Sequence, residues 1–297
     1  MTISRILLFV TILAFTGKAG AQNIDELLTE ATGDQTNYTF ATFKSTHIVN
    51  GHSIKLMPKG QLDFRVSHRF GTLNTGFHKL WGLDNASTHF SLDYGVNDWL
   101  MAGFGRGSYN ETYDGSLKFR IFRQCTGAKN MPVSVSYLTS VAMVGYKWTG
   151  PGKLNFWNRA SFVHQLLIAR KFNERFSLEL NPTYVHRNLV KTELDPNDLW
   201  SMGIGTRFKI TNHLSVDFEY YYTVPPSNSL RSQKTYNPLS VGFNLETGGH
   251  VFQLFFTNSI QMIAKGFIGE TTDNWLDGGI HFGFNVSRVF TIVSNNK

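Results

Sequence analysis

Residues 200–222 read WSMGIGTRFKITNHLSVDFEYYY. In Trp200, Met202, Ile204, Thr206, Phe208 and Ile210 every second residue is apolar or nearly so, and the intervening Ser201, Gly203, Gly205, Arg207 and Lys209 are small or charged. After Thr211-Asn212-His213 the alternation resumes, with Leu214, Val216, Phe218, Tyr220 and Tyr222 set against Ser215, Asp217, Glu219 and Tyr221. A period of two places one set on each face of a strand, and three residues suffice to reverse the chain. The stretch therefore predicts a β-hairpin with one apolar face and one face carrying Arg, Lys, Asp and Glu.

The chain opens with a secretory pattern. Arg5 supplies a positive start, Ile6 to Phe15 an apolar run, and Ala19-Gly20-Ala21 the small-residue cleavage signature, so the cut is expected between Ala21 and Gln22. The apolar run is too short for a membrane helix, which needs roughly 18 residues or more. Removing residues 1–21 takes away Arg5 and Lys18 and lowers the formal charge from +7 by two, to +5. That excess is spread along the strands without a basic block, which argues against a nucleic-acid partner. The lone cysteine, Cys125, rules out an intrachain disulfide framework, and its distance from the cleavage site rules out a lipoprotein anchor. A secreted chain rich in Phe, Tyr and Trp, with only 16% charged residues, points to a β-barrel of the outer membrane.

Outward from the opening hairpin, the same alternation recurs. Leu62, Phe64 and Val66 alternate with Asp63 and Arg65; Phe90, Leu92 and Tyr94 with Ser91 and Asp93; Leu100, Ala102 and Phe104 with Gly103 and Gly105; Leu117, Phe119 and Ile121 with Lys118 and Arg120; Phe176, Leu178 and Leu180 with Ser177 and Glu179. Less regular apolar strands are expected over 133–145 and 160–172. Further strands carry Leu239 to Leu245, Phe252 to Phe256 and Ile280 to Phe290, with Thr247-Gly248-Gly249 a strong turn signal. The count is about twelve. Short connections (97–98, 125–131, 173–175, 211–213, 247–249) alternate with longer ones (71–88, 108–114, 146–158, 188–198, 225–238, 258–278). Up-and-down outer-membrane barrels have that asymmetry, with periplasmic turns and extracellular loops. Aromatic residues near strand ends, among them Tyr94, Trp99, Trp148, Trp157, Phe172, Phe176, Trp200 and Tyr220 to Tyr222, suit interfacial girdles.

The expected organisation is a signal peptide at 1–21, an N-terminal lead-in at 22–60, an all-β, up-and-down antiparallel transmembrane barrel at 61–290 and a tail at 291–297. Within the lead-in, Asn23 to Ala31 suits a short helix, and Tyr38 to Ile54 lacks sustained alternation. This region is expected to be periplasmic or lumen-filling, with Tyr38 to Ile54 folded against or into the barrel mouth.

Five segments carry a family resemblance: LDFRVSHRFG (Leu62 to Gly71), HQLLIARKF (His164 to Phe172), PTYVHRNLV (Pro182 to Val190), LETGGHVFQL (Leu245 to Leu254) and IHFGFNVSRVF (Ile280 to Phe290). They resemble a family of outer-membrane barrels from Bacteroidota, domain of unknown function 5777. The resemblance implies an outer-membrane barrel, in agreement with the periodicity, and brings no activity, cofactor or catalytic residue with it.

Candidate chemistry is sparse. Asn50-Gly51-His52-Ser53 sets His beside Ser, but neighbours on an extended strand face opposite ways. The ten His are scattered without a metal-ligand spacing. Asp84-Asn85 and Asp195-Pro196-Asn197-Asp198 read as solvated loop turns before they read as calcium sites. The strongest constellation is the predicted lumen face: Asp63, Arg65, Asp93, Lys118, Arg120, Glu179, Arg207, Lys209, Asp217, Glu219, Glu246 and Gln253. Five bases against six acids favour mutual pairing over a one-sign selectivity ring.

Three functions fit these observations: a narrow channel or transporter for small solutes; a structural or partner-docking barrel with a closed, ion-paired lumen and a periplasmic protein partner; and, with the least support, a barrel enzyme. No enzyme activity, cofactor or metal is expected. Outer-membrane lipid and, during insertion, the barrel-assembly machinery are the expected partners.

Overall fold

The computed structural model describes residues 35–149, 153–224 and 232–293. The signal peptide, its cleavage site at Ala19, Ala21 and Gln22, and the expected helix from Asn23 to Ala31 lie outside the described residues.

Twelve antiparallel strands close into one barrel. A short strand, β1 (Thr36–Tyr38), precedes the wall, which begins with β2 (Gln61–Thr72), β3 (Ala86–Gly95), β4 (Leu100–Gly107) and β5 (Tyr113–Phe122). A second short strand, β6 (Cys125–Gly127), interrupts the connection to β7 (Ser134–Met143). The wall continues through β8 (Ala160–Lys171), β9 (Phe176–Arg187), β10 (Asp198–Lys209), β11 (Leu214–Val224), β12 (Leu239–Thr247), β13 (His250–Thr257) and β14 (His281–Thr291). Each wall strand pairs with the next, and β14 pairs with β2 to close the ring, leaving no sheet edge.

The opening stretch is the hairpin β10–β11, with Thr206 opposite Phe218 and Arg207 opposite Asp217. Its faces divide as alternation requires: Arg207, Asp217 and Glu219 are buried, whereas Trp200, Met202, Phe208, Phe218 and Tyr222 are exposed on the outer surface. The outer wall is apolar and is crossed by a diagonal run of aromatic rings. Trp99, Phe119, Tyr137, His164, Tyr184 and Trp200 follow one another at centroid spacings of 4.8 to 6.3 Å. The run climbs from the short-turn end to the long-loop end because strands in a barrel are tilted and staggered. This closed, outwardly apolar architecture places the chain in the outer membrane of a Gram-negative bacterium. Tyr221 departs from the girdle expected over Tyr220 to Tyr222. It is fully buried and packs inside the barrel against Phe267, because position 221 shares the inward parity of Asp217 and Glu219.

Beside the wall, β1 pairs with β6 at the short-turn end and is antiparallel to it. Arg123 stacks between Tyr38 and Phe40 there, 4.6 and 4.5 Å from the two ring centroids. This small sheet holds the N-terminal segment against the barrel rim just before it turns inward.

Candidate functional site

Residues 39–58 enter the lumen from the short-turn end. Residues 46–53 fold back on themselves as a tight hairpin, with Ile48 N–H donating to the Gly51 carbonyl at 2.8 Å and Ser53 N–H to the Thr46 carbonyl at 2.9 Å. Three consecutive main-chain N–H groups at its tip converge on one wall carboxylate. Val49, Asn50 and Gly51 donate to Glu219 at 3.1, 3.1 and 3.0 Å. Ile54 N–H donates to Glu179 at 2.6 Å. Opposite these acids, the Lys118 ammonium donates to the carbonyl oxygens of Thr46, Ser53 and Lys55 at 3.3, 2.9 and 3.1 Å. A carboxylate can only accept and an ammonium can only donate, so turn amides and turn carbonyls are the main-chain groups that suit each.

Side chains complete the seat. Thr46 donates to Asp93 at 2.8 Å, and Arg65 reaches Ser45 and Thr46. Arg69 donates to the Asn50 side-chain oxygen at 2.8 Å while its guanidinium lies 4.0 Å from the Phe255 ring centroid. Gln253 donates to the Ile48 carbonyl, Asn285 to the Val49 carbonyl at 3.1 Å, and Arg207 to the Ala41 carbonyl at 2.8 Å. Lys44 pairs with Glu246 nearer the rim. An apolar contact set, Phe43, Ile48, Val49 and Ile54 against Leu138, Leu167, Ala169 and Phe255, packs alongside the polar one.

The predicted lumen residues thus fall into two groups. Asp63, Arg65, Asp93, Lys118, Glu179, Arg207, Asp217, Glu219 and Gln253 are buried inside the barrel. All of these but Asp217 hydrogen-bond to residues 41–54 or to Lys55. Asp217 accepts from Ser215 at 3.2 Å and from Asn244 instead. Arg120, Lys209 and Glu246 are half-buried near the short turns, where Arg120 donates to the Asp98 carbonyl. The balance of charge seen in the sequence does not resolve into wall-to-wall ion pairs. Apart from Arg65 and Asp63 at 3.7 Å, the buried wall charges are satisfied chiefly by the N-terminal segment, Glu219, Glu179, Lys118 and Arg207 through its main chain and Asp93, Arg65 and Arg69 through the side chains of Ser45, Thr46 and Asn50.

Three inward positions were not among the predicted lumen residues although parity marked them. Arg69 continues the inward set of Asp63, Arg65 and Ser67, and is almost fully buried. Gly203 and Gly205 face inward as slots: a Cβ on Gly203 would lie 2.3 Å from the Tyr221 ring, and one on Gly205 would lie 2.2 Å from Ile48 Cδ1.

The long-loop end holds a second closure. The connection between β13 and β14, expected as an extracellular loop, folds into the barrel instead. A short helix, Ala264–Gly269, buries Phe267 and Ile268 against Val163, Val185, Leu199 and Tyr221. The apolar run Ile263, Ala264, Phe267 and Ile268 was the available signal, since an apolar cluster in a loop needs a place to be buried. Glu270 fixes the helix end. It accepts from Lys265 at 2.9 Å and from Gln261, and lies 4.0 Å from Arg187. Burial opposes ionisation of Glu270, but Lys265, Gln261 and Arg187 outweigh it and hold its carboxyl below the usual value.

Between the two closures lies a cavity of about 50 Å³ lined by His47, His52, Arg65, Arg69, His89, Asp93 and Lys265 among others. The His47 and His52 rings sit 4.0 Å apart. Burial, together with the nearby charges of Arg65 and Lys118, keeps both well below the ordinary histidine value, so both are neutral at pH 7. His89 meets Asp114 at 2.7 Å. Among the described residues no group of three His, Cys, Asp or Glu side chains is arranged to hold a metal ion.

The chain is similar in structure to three solved outer-membrane proteins. It resembles the NanC porin with a TM-score of 0.48 and 9% identity, over 78% of this chain and 100% of that one. It resembles the KdgM porin with a TM-score of 0.45 and 7% identity, over 77% and 99%. It resembles an outer membrane channel from Pseudomonas putida F1 with a TM-score of 0.46 and 11% identity, over 80% and 97%. No curated protein matches the chain in sequence. The model of one family matches residues 43–290, from the plugging hairpin through the last wall strand, and the chain belongs to that family, the membrane-bound beta barrel domains of domain of unknown function 5777.

Proposed function

We propose that the protein is an outer-membrane channel for small polar solutes whose resting state is closed, with residues 39–58 as the removable closure. One observation carries this reading: four buried wall charges, Glu219, Glu179, Lys118 and Arg207, grip the N-terminal segment through its main chain. Water can replace an amide or a carbonyl at each such group, so the lumen remains polar and wettable when the hairpin leaves. A barrel built only as a wall has no need of ionised groups at its centre and is more stably filled with apolar side chains. Twelve strands also enclose more space than the eight that side chains alone can fill, and less than the sixteen of an open porin. No catalytic role is assigned. A Bacteroidota source, export by the N-terminal signal and insertion by the barrel-assembly machinery belong to the same reading.

The inward loop with Phe267 and Ile268 favours a second reading, a permanently closed barrel that docks a periplasmic partner through its N-terminal segment. Planar-bilayer conductance of the mature chain against a variant lacking residues 22–58 separates the two. A channel gains conductance on truncation. If both forms conduct poorly, the wall and the inward loop close the lumen by themselves; if both conduct equally, the hairpin is not a closure.

A further inference from the structure

The inner face of β7 runs past three cavities in turn. Ser134 and Ser136 line a cavity of about 430 Å³ at the short-turn mouth, between the two legs of the N-terminal segment and the wall. Ser140 and Ala142 line the cavity of about 50 Å³ between the two closures. Val144, just past the strand, lines a vestibule of about 360 Å³ at the long-loop mouth. Lys265 lines both the central cavity and that vestibule, so these two adjoin. Of the inward positions on β7, Leu138 alone borders none of the three, and it is fully buried. Small side chains thus leave a track beside the seated hairpin, and one leucine interrupts it.

In register, Leu138 stands between Lys118 of β5 and Gln165 of β8. Lys118 is tied to the hairpin carbonyls, and Gln165 donates to the Thr183 hydroxyl at 2.8 Å. The Leu138 side chain can make no hydrogen bond and is held by packing in the cluster of Phe43, Ile48 and Ile54. One step toward the short turns, the Ser136 hydroxyl is fully buried and has no hydrogen-bond partner among the described residues. A hydroxyl buried unpaired opposes the closed state, and water entering the track would satisfy it. An apolar side chain between polar stretches closes a passage by dewetting, and a small displacement suffices to open it. We propose that the barrel has a second route, for water and small inorganic ions, along the inner face of β7 past the seated hairpin, with Leu138 as its constriction. Departure of the hairpin admits larger solutes; displacement of this one side chain admits ions alone. As a use of the barrel the route rests on the channel reading; as a path it does not.

Planar-bilayer recordings in potassium chloride compare the full-length parent with Leu138→Ser. The variant is expected to raise ion conductance several-fold while residues 39–58 keep the parent's resistance to protease and raffinose entry into liposomes stays at the parent level. Leu138→Ala, a milder truncation, gives the same test with a smaller gain if the serine variant assembles poorly. Leu167→Ser removes a side chain of the same apolar cluster that borders none of the three cavities, and is expected to leave conductance unchanged. In a Cys125→Ser background, Ser140→Cys sets a thiol on the track, and a charged methanethiosulfonate reagent should then block the current that Leu138→Ser admits. No gain from either Leu138 variant in a folded barrel, an equal gain from Leu167→Ser, a gain accompanied by protease sensitivity, or a current the reagent leaves untouched overturns the route. If the barrel lacking residues 22–58 conducts while the Leu138 variants do not, the channel reading stands and the route falls. If a Leu138 variant conducts with its hairpin seated while the truncated barrel does not, the route stands and the removable closure falls.

Discussion

The Glu219 carboxylate, on the barrel wall, lies 3.0 Å from the main-chain nitrogen of Gly51, 168 residues earlier in the chain, and takes the neighbouring amides of Asn50 and Val49 as well. A charged hydrogen bond contributes about 1.5–3 kcal/mol net. Glu219→Gln keeps the shape and removes the charge, so the seated hairpin should lose roughly that much, a 10- to 100-fold change at about 1.4 kcal/mol per decade. Hydrogen exchange at the amides of residues 49–51 should accelerate by that factor, with the barrel amides unchanged. Unaltered exchange would show that apolar packing alone seats the hairpin.

Gly205 makes room for Ile48, whose Cδ1 would lie 2.2 Å from any Cβ placed there. Gly205→Val should therefore expel the hairpin tip while favouring the strand, since valine suits β10 better than glycine does. The expected signature is a stable barrel, by heat-modified migration on gels, whose residues 39–58 have become sensitive to protease. Protection equal to the parent would mean that the seat is deeper than one methyl group.

The paired rings of His47 and His52 set a pH dependence. The charged and titratable groups facing them are Asp63, Arg65 and Arg69 from β2, Asp93 and His89 from β3, Asp114 and Lys118 from β5, and Lys265 from the inward loop. Both histidines stay neutral while seated and regain an ordinary value of about 6.5 when released into water. Release therefore takes up protons. The contribution to closure is complete above about pH 6.5 and falls as pH drops below it, by up to about tenfold per histidine per unit. Openings in planar bilayers should become more frequent between pH 7 and pH 5. Protonating Glu219 would act in the same direction, so the His47→Gln, His52→Gln double variant separates the two: its pH response should be shallower, and an unchanged slope assigns the effect to the wall carboxylates.

Outward and inward positions on one strand should tolerate charge differently. Phe218 faces lipid and Ser215 is buried in the lumen beside Asp217. Phe218→Arg should cost roughly 2–4 kcal/mol if it lies near the bilayer midplane. Ser215→Arg, with Asp217 at hand, should assemble in higher yield. Folding into liposomes followed by gel shift measures both, and the reverse order would mean that the register is displaced by one.

The wall of this protein was legible in the amino-acid sequence, because a period of two is a local property. Arg207, Asp217 and Glu219 had to face one way and Phe208 and Phe218 the other, whatever else the chain did. The alternation of short and long connections likewise told one barrel end from the other. What the inward charges hold was decided only by the tertiary structure. Nothing near Glu219 in sequence points to Gly51, and nothing near Lys118 points to Ser53; closure of the ring brings them together across 168 and 65 residues. The same holds for the loop between β13 and β14. Its apolar residues were visible, but whether Phe267 and Ile268 met lipid, a partner or their own barrel depended on the space left inside twelve strands. Alternation specifies a face, and a face carries no information about what fills the volume it encloses.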